Sequence, residues 1–152
     1  MRKALVFSIA LLLVHCGCNR SIASGDKNLR ITISKGSYSL SESINMEIIV
    51  TGEGVFFIGP CDRWFERQTD QGWKKVGGCP ETDFVDLPSP KYSGDQDSIS
   101  LPTSDTGNIY DYNYSLTPGV YRYAITYGIS SGSLTCYSPE FEVIGAGTVP
   151  PH

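Results

Sequence analysis

Leu116-Thr117-Pro118-Gly119-Val120-Tyr121-Arg122-Tyr123 is the stretch whose reading decides the fold. A leucine leads into a Pro-Gly turn, and the turn leads into a strand with a tyrosine near its start. This is the pattern of a tyrosine corner, in which a phenol hydroxyl ties back to the backbone a few residues upstream. Along the strand, Tyr121, Tyr123, Ile125 and Tyr127 occupy alternate positions and so share one face. That face is expected to meet a core, with Pro118, Gly119 and Tyr121 forming the structural corner.

Toward the N terminus the same alternation recurs. Leu29, Ile31 and Ile33 alternate with polar residues, and Ile44, Met46, Ile48 and Val50 do the same. Each set predicts a strand with one buried face. Met46 and Ile48 are expected to oppose Tyr123, so that packing takes the place of an inter-sheet disulfide. Val55-Phe56-Phe57-Ile58 is continuously apolar and predicts a central strand covered on both sides. Trp64-Phe65-Glu66-Arg67 and Trp73-Lys74-Lys75-Val76 flank the turn Thr69-Asp70-Gln71-Gly72 and predict a hairpin with Gln68 opposite Trp73. Pro80, Pro88 and Pro90 predict an unpaired loop over 81–95. A short strand is expected over 98–101, a long loop over 102–118, a strand over 119–127 and a closing strand over 140–144. No helical periodicity appears. Seven to eight short strands in about 120 residues predict an all-β, antiparallel β-sandwich, with a closed barrel as the alternative.

Composition agrees with that reading. The 152 residues hold nine tyrosines, sixteen glycines and nine prolines, and 40% of the chain is hydrophobic. Such a length suits one domain once a leader is set aside.

The leader is Met1-Arg2-Lys3 followed by an apolar run over 4–14. A stretch of about eleven residues is too short for a stable membrane span, and it matches the first two regions of a secretory signal. Leu13-Val14-His15-Cys16 and His15-Cys16-Gly17-Cys18 both resemble the lipobox of bacterial lipoproteins, in which a cysteine becomes lipidated. Cys16 has Leu13 at the favoured place but His15 where a small residue is usual. Cys18 has Gly17 before it but His15 at the apolar place. Ser21-Ile22-Ala23 offers ordinary cleavage before Ser24 instead. Lipidation at Cys18 or Cys16 is the preferred reading. The expected organisation is leader and start of a tether over 1–23, tether over 24–28, sandwich over 29–144 and flexible tail over 145–152.

Export into an oxidising compartment allows disulfides. Cys61, Cys79 and Cys136 remain beyond the leader. Extending the hairpin register puts Cys61 one step from Cys79, close enough to bridge, and such a loop would stabilise by about 3 kcal/mol. Cys136 is then a buried free thiol, or it displaces one member of that pair.

Several of these segments together resemble the bacterial immunoglobulin-like domains of exported and lipid-anchored proteins. They are Ile31 to Leu40 with Ile44 to Ile48, Gly59-Pro60-Cys61, Trp73-Lys74-Lys75-Val76, Pro118-Gly119-Val120-Tyr121 and Pro139-Glu140-Phe141-Glu142-Val143. The pattern is also similar to the bacterial intracellular proteinase inhibitor family. The resemblance spans about residues 29–144 and implies an immunoglobulin-like sandwich. No inhibitory motif of the family is present in this chain.

Charge and chemistry narrow the function. Removing Arg2 and Lys3 from the 12 basic residues leaves 10 against 16 acidic, a net charge of −6. That balance disfavours nucleic acid as a partner and provides no polybasic membrane face. The histidines are His15 in the leader and His152 at the C terminus. Ser-His-Asp and Cys-His catalysis and histidine metal sites are therefore not expected in the sandwich. No catalytic residue, metal site or cofactor is assigned. Asp95, Asp97, Asp105 and Asp111 offer hard oxygens for calcium, but they read better as a solvated acidic loop. Tyr110, Tyr112 and Tyr114 alternate with polar residues in a predicted end loop and are the first candidate binding residues. The competing reading is that they cover the open end of the core or form an extra edge strand. Trp64 and Trp73 are the second candidate patch, weighed against plain core and cross-strand packing. The expected function is a non-enzymatic, exported binding or assembly module of the bacterial cell envelope, lipid-anchored, periplasmic or secreted. Its expected partner is an unknown protein or envelope component, with membrane contact through the lipid. The alternative is a proteinase inhibitor that presents a sandwich loop.

Overall fold

The computed structural model describes residues 22–77, 89–105 and 114–145. The strand segments are β1 (Ile22–Gly25), β2 (Leu29–Ile33), β3 (Ser37–Ser39), β4 (Ser43–Val50), β5 (Val55–Ile58), β6 (Arg63–Thr69) and β7 (Gly72–Val76). They continue with β8 (Ser89–Tyr92), β9 (Gln96–Pro102), β10 (Ser104–Asp105), β11 (Tyr114–Ser115), β12 (Gly119–Ile129), β13 (Gly132–Tyr137) and β14 (Phe141–Ile144). Among the described residues the only helical turn is the 3₁₀ turn Pro60–Asp62.

Two layers form. The first sheet runs β1-β2-β4-β9, antiparallel throughout. The second is organised on β12, the longest strand. One edge of β12 pairs with β14 and then β13, and the other with β6 and then β5. β7 extends β6, β8 extends β5, and β3 lies parallel to β14. The chain thus leaves β2 in one layer and crosses to β3 in the other. Both sheets contribute side chains to one buried cluster, and Cys136 of β13 reaches the Leu29 carbonyl of β2. This all-β sandwich has the connectivity of immunoglobulin-like folds.

Segments outnumber full strands because strands break locally. Between β13 and β14, Ser138 N–H donates to the Tyr123 carbonyl (2.8 Å), while Tyr123 N–H donates to Ser138 Oγ (2.8 Å). A hydroxyl thus replaces one ladder partner just before Pro139, which lacks an N–H.

The core follows the alternation. Leu29, Ile31, Ile33, Ile44, Met46, Ile48 and Val50 from the first sheet join Phe65, Tyr121, Tyr123, Ile125, Tyr127 and Phe141 from the second in one buried cluster. The Phe65 ring lies edge-on to Tyr114, Tyr123 and Phe141, with centroids 5.0, 5.1 and 6.1 Å away. Tyr123 packs against Phe65 in the same buried cluster that holds Met46 and Ile48. The hairpin pairs Gln68 with Trp73 and Phe65 with Val76, the register read from the sequence. Gly72 closes its turn at φ 99°, a conformation that a side chain disfavours.

Several expectations need correction. Residues 24 and 25 are not tether: β1 already pairs Ser24 with Ile31 and Gly25 with Arg30. Asp26 then forms a fixed turn, its carboxylate accepting from the Asn28 and Leu29 amides at 2.7 and 2.9 Å. The apolar run 55–58 is not covered on both faces. Val55 and Phe57 are 42% and 45% exposed while Phe56 and Ile58 are buried. Pro90 does not prevent pairing: it lies opposite Phe57 in β8, the outermost strand of that sheet among the described residues, and an edge strand tolerates proline. The loop expected over 102–118 contains the short β10–β11 ladder. β13 is an additional strand, following the turn at Ser130-Ser131. The expected tail beyond Gly145 lies outside the described residues.

Candidate functional site

The solvent-facing side of the second sheet carries an interlocked cluster of aromatic and charged side chains. Register decides which side chains meet there. Tyr121, Tyr123 and Ile125 point inward, so Arg122 and Ala124 point outward. Ala124 pairs with Trp64 on one side and Tyr137 on the other. Arg122 pairs with Glu66, which pairs with Lys75 on β7. The result is an aromatic and charged layer laid over the outer face.

Arg122 is its centre. The guanidinium lies 4.3 Å from the Trp73 ring centroid and 3.8 Å from that of Tyr137. It also donates to Glu66, with Nη2 to Oε2 at 2.6 Å and Nε to Oε2 at 2.8 Å. Glu66 Oε1 accepts from Trp64 Nε1 at 3.1 Å, and Lys75 Nζ lies 4.6 Å from the Trp64 ring. The Arg122 and Glu66 side chains are 22% and 13% exposed, so their charges attract in a partly desolvated setting. Planar cation, flanking rings and fixed carboxylate hold one another in place, which lowers the entropy a partner must remove on binding.

The tyrosine corner has the following geometry. Tyr121 is 1% exposed. Its hydroxyl donates to the Thr117 carbonyl at 2.7 Å and accepts from the Thr117 N–H at 3.1 Å. Arg67 Nη2 donates to the Pro118 carbonyl at 2.9 Å and rests against Gly119, whose lack of a side chain leaves that room.

Of the three loop tyrosines, Tyr110 and Tyr112 lie outside the described residues. Tyr114 is buried in the core, and its hydroxyl donates to the Pro102 carbonyl at 2.7 Å, so it caps the sandwich rather than presenting a binding surface. Trp64 and Trp73 are half-buried on the outer face, neither in the core nor free in solvent. Sequence reasoning named both tryptophans but missed Arg122, Glu66 and Tyr137. The missed signal was hairpin register combined with outward parity on β12, and it needs the β6–β12 pairing to be known.

Cys61 is exposed and disulfide-bonded. Among the described residues no two cysteines bridge each other, and Cys79, Cys16 and Cys18 lie outside them. Cys136 is a buried free thiol whose ionisation burial pushes up to about 11. Asp95 caps the Tyr92 amide at 2.8 Å and Asp97 pairs with Lys91 at 2.9 Å, so neither carboxylate is held for an ion. Among the described residues no group of three or more histidine, cysteine or acidic side chains is arranged to hold a metal. Nor is any helix among them long and apolar enough to cross a membrane.

At the far end of the core, Tyr127 donates to Asp26 Oδ2 at 2.7 Å and accepts from Asn28 Nδ2 at 3.0 Å. Burial, and then the Asp26 carboxylate, raise its ionisation to about 12. The first sheet carries an open trough of about 360 Å³ lined by Thr32, Ser34, Asn45, Glu47, Ser98 and Ser100. Its lining holds no aromatic ring and no basic side chain, only hydroxyls, one amide, one carboxylate and the apolar Met46 and Ile99.

The site thus belongs to an immunoglobulin-like sandwich with an aromatic and cationic outer face. No family model, curated protein or solved structure matches the chain.

Proposed function

We propose that the chain is a non-catalytic, exported module of the cell envelope, held by a lipid at Cys18 or Cys16, that binds a protein through the outer face of β6, β7, β12 and β13. The observation that carries this reading is the Trp73–Arg122–Tyr137 stack with Trp64 and Glu66 beside it. Tryptophan, tyrosine and arginine are the residues that contribute most to binding at protein interfaces, and here they are pre-ordered on an open sheet. The leader supports export. Lipidation is favoured over ordinary cleavage before Ser24, because that cut would divide β1 and remove the pairs Ile22–Ile33 and Ala23–Thr32.

A photoreactive residue placed at Gln68 or Lys75 tests the binding face in cells. Discrete crosslinked adducts are expected from both positions, and none from Thr32 or Ser98 on the first sheet. Trp73→Ala should abolish the adducts without lowering expression. Equal labelling from both sheets, or none from either, would overturn the assignment.

A further inference from the structure

We infer that one end of the sandwich, at the turn Leu40–Glu42 beside Pro102 and Pro118, rests on the bilayer surface, and that the domain stands on the membrane in a set orientation. This deepens the anchored reading above and rests on it.

Chain length and register carry the inference. β1 begins at Ile22, and its partner is Ile33, which in turn pairs with Met46 on β4. Only four residue steps separate Cys18 from Ile22, a reach of at most about 14 Å. β1 is antiparallel to β2, so the chain arrives at Ile22 from the end of the sheet where β4 starts. That start, Ser43, lies three residues beyond Met46 and pairs with Pro102, which uses about 10 Å of the reach at the ordinary strand rise. A lipid on Cys18 therefore leaves only a few ångströms between this end and the headgroups. A lipid on Cys16 extends the reach to about 20 Å. In the other direction β4 continues four residues from Met46 to Val50, about 14 Å, and the chain does not run that way from Ile22. Because the chain leaves Ile22 toward the Ser43 end, that end is the first to meet the bilayer.

The chemistry of the near end suits a lipid surface. Leu40 is 37% exposed at the tip of its turn. Its carbonyl accepts from Thr103 Oγ1, and Glu42 N–H donates to the Ser39 carbonyl at 3.0 Å, so the turn is held rigidly. Lys35 and Glu42 pair at 2.6 Å, so their charges offset each other beside the exposed leucine. A short anchor holding an apolar tip at the headgroup boundary adds contact area at little entropic cost.

The test uses the full chain made in a bacterial host, purified with its acyl group and reconstituted into phosphatidylethanolamine–phosphatidylglycerol vesicles. Amide hydrogen exchange is compared with that of a variant carrying a long Gly/Ser insertion between Cys18 and Ile22, in the same vesicles. Exchange over Ser39–Ser43 and around Thr103 should be several-fold slower in the natural chain, with the turns at Gly52–Gly54 and Ser130–Gly132 unchanged. Leu40→Ser should weaken the protection while leaving thermal melting unaltered. Identical exchange in the two anchored proteins, or protection at both ends, overturns the end-on orientation while leaving the anchor intact. An intact mass without an acyl group, and no partition into vesicles, overturns the anchored reading and this inference with it.

Discussion

Tyr121 does more for the fold than its ring contacts alone. Its hydroxyl serves both the N–H and the carbonyl of Thr117. Tyr121→Phe keeps the ring stacked on Phe141 but leaves both backbone groups unserved, and should cost about 1 kcal/mol in denaturant unfolding. Tyr127 gives a pH signature. Its hydroxyl ionises near 10 when unfolded and near 12 when folded. The folded state therefore holds the proton more tightly. The stabilisation is complete below pH 10 and is lost as pH rises toward about 12. Melting curves across that window should fall more steeply for the natural chain than for Tyr127→Phe, and parallel slopes would refute the burial of this hydroxyl, with Asp26 beside it, as the cause.

Edge elements decide where the domain begins. β1 looks like a polar tether in the sequence because only Ile22 and Ala23 are apolar, but pairing with β2 turns it into sheet. A chain starting at Ser24 loses half of β1. It should melt lower, by about 1 kcal/mol, and exchange faster at the Thr32 and Ile33 amides, as read by hydrogen exchange. No change in either would mean that β1 adds nothing to the fold. The hairpin β6–β7 was legible to the residue because its turn fixes register locally. β5 was not, since four consecutive apolar residues do not reveal that one side of a sheet is uncovered. Pro90 misled for the related reason that a proline forbids only central pairing, and edge position is a property of the assembled sheet.

For the molecule as a whole, stability combines the single aromatic core with at least one covalent link at Cys61. Cys61→Ser, or reduction under native conditions, should lower unfolding free energy by about 3 kcal/mol, the value expected for closing a loop between Cys61 and Cys79. Peptide mapping of the unreduced protein identifies the partner, and a Cys61 peptide linked elsewhere would refute that pairing. Cys136 should resist alkylation in the folded protein and react once it unfolds, because burial both hides the thiol and opposes its ionisation.

The sequence by itself determined the period-2 strands, the Pro118–Tyr121 corner, the hairpin register and the apolar leader, because each is written in residues close together along the chain. Only the tertiary structure decided which face of each sheet stays open, which strands lie at edges, and how Arg122 comes to stand between Trp73 and Tyr137. Those residues belong to three separate strands. Their meeting depends on long-range pairing around β12, which local pattern does not encode.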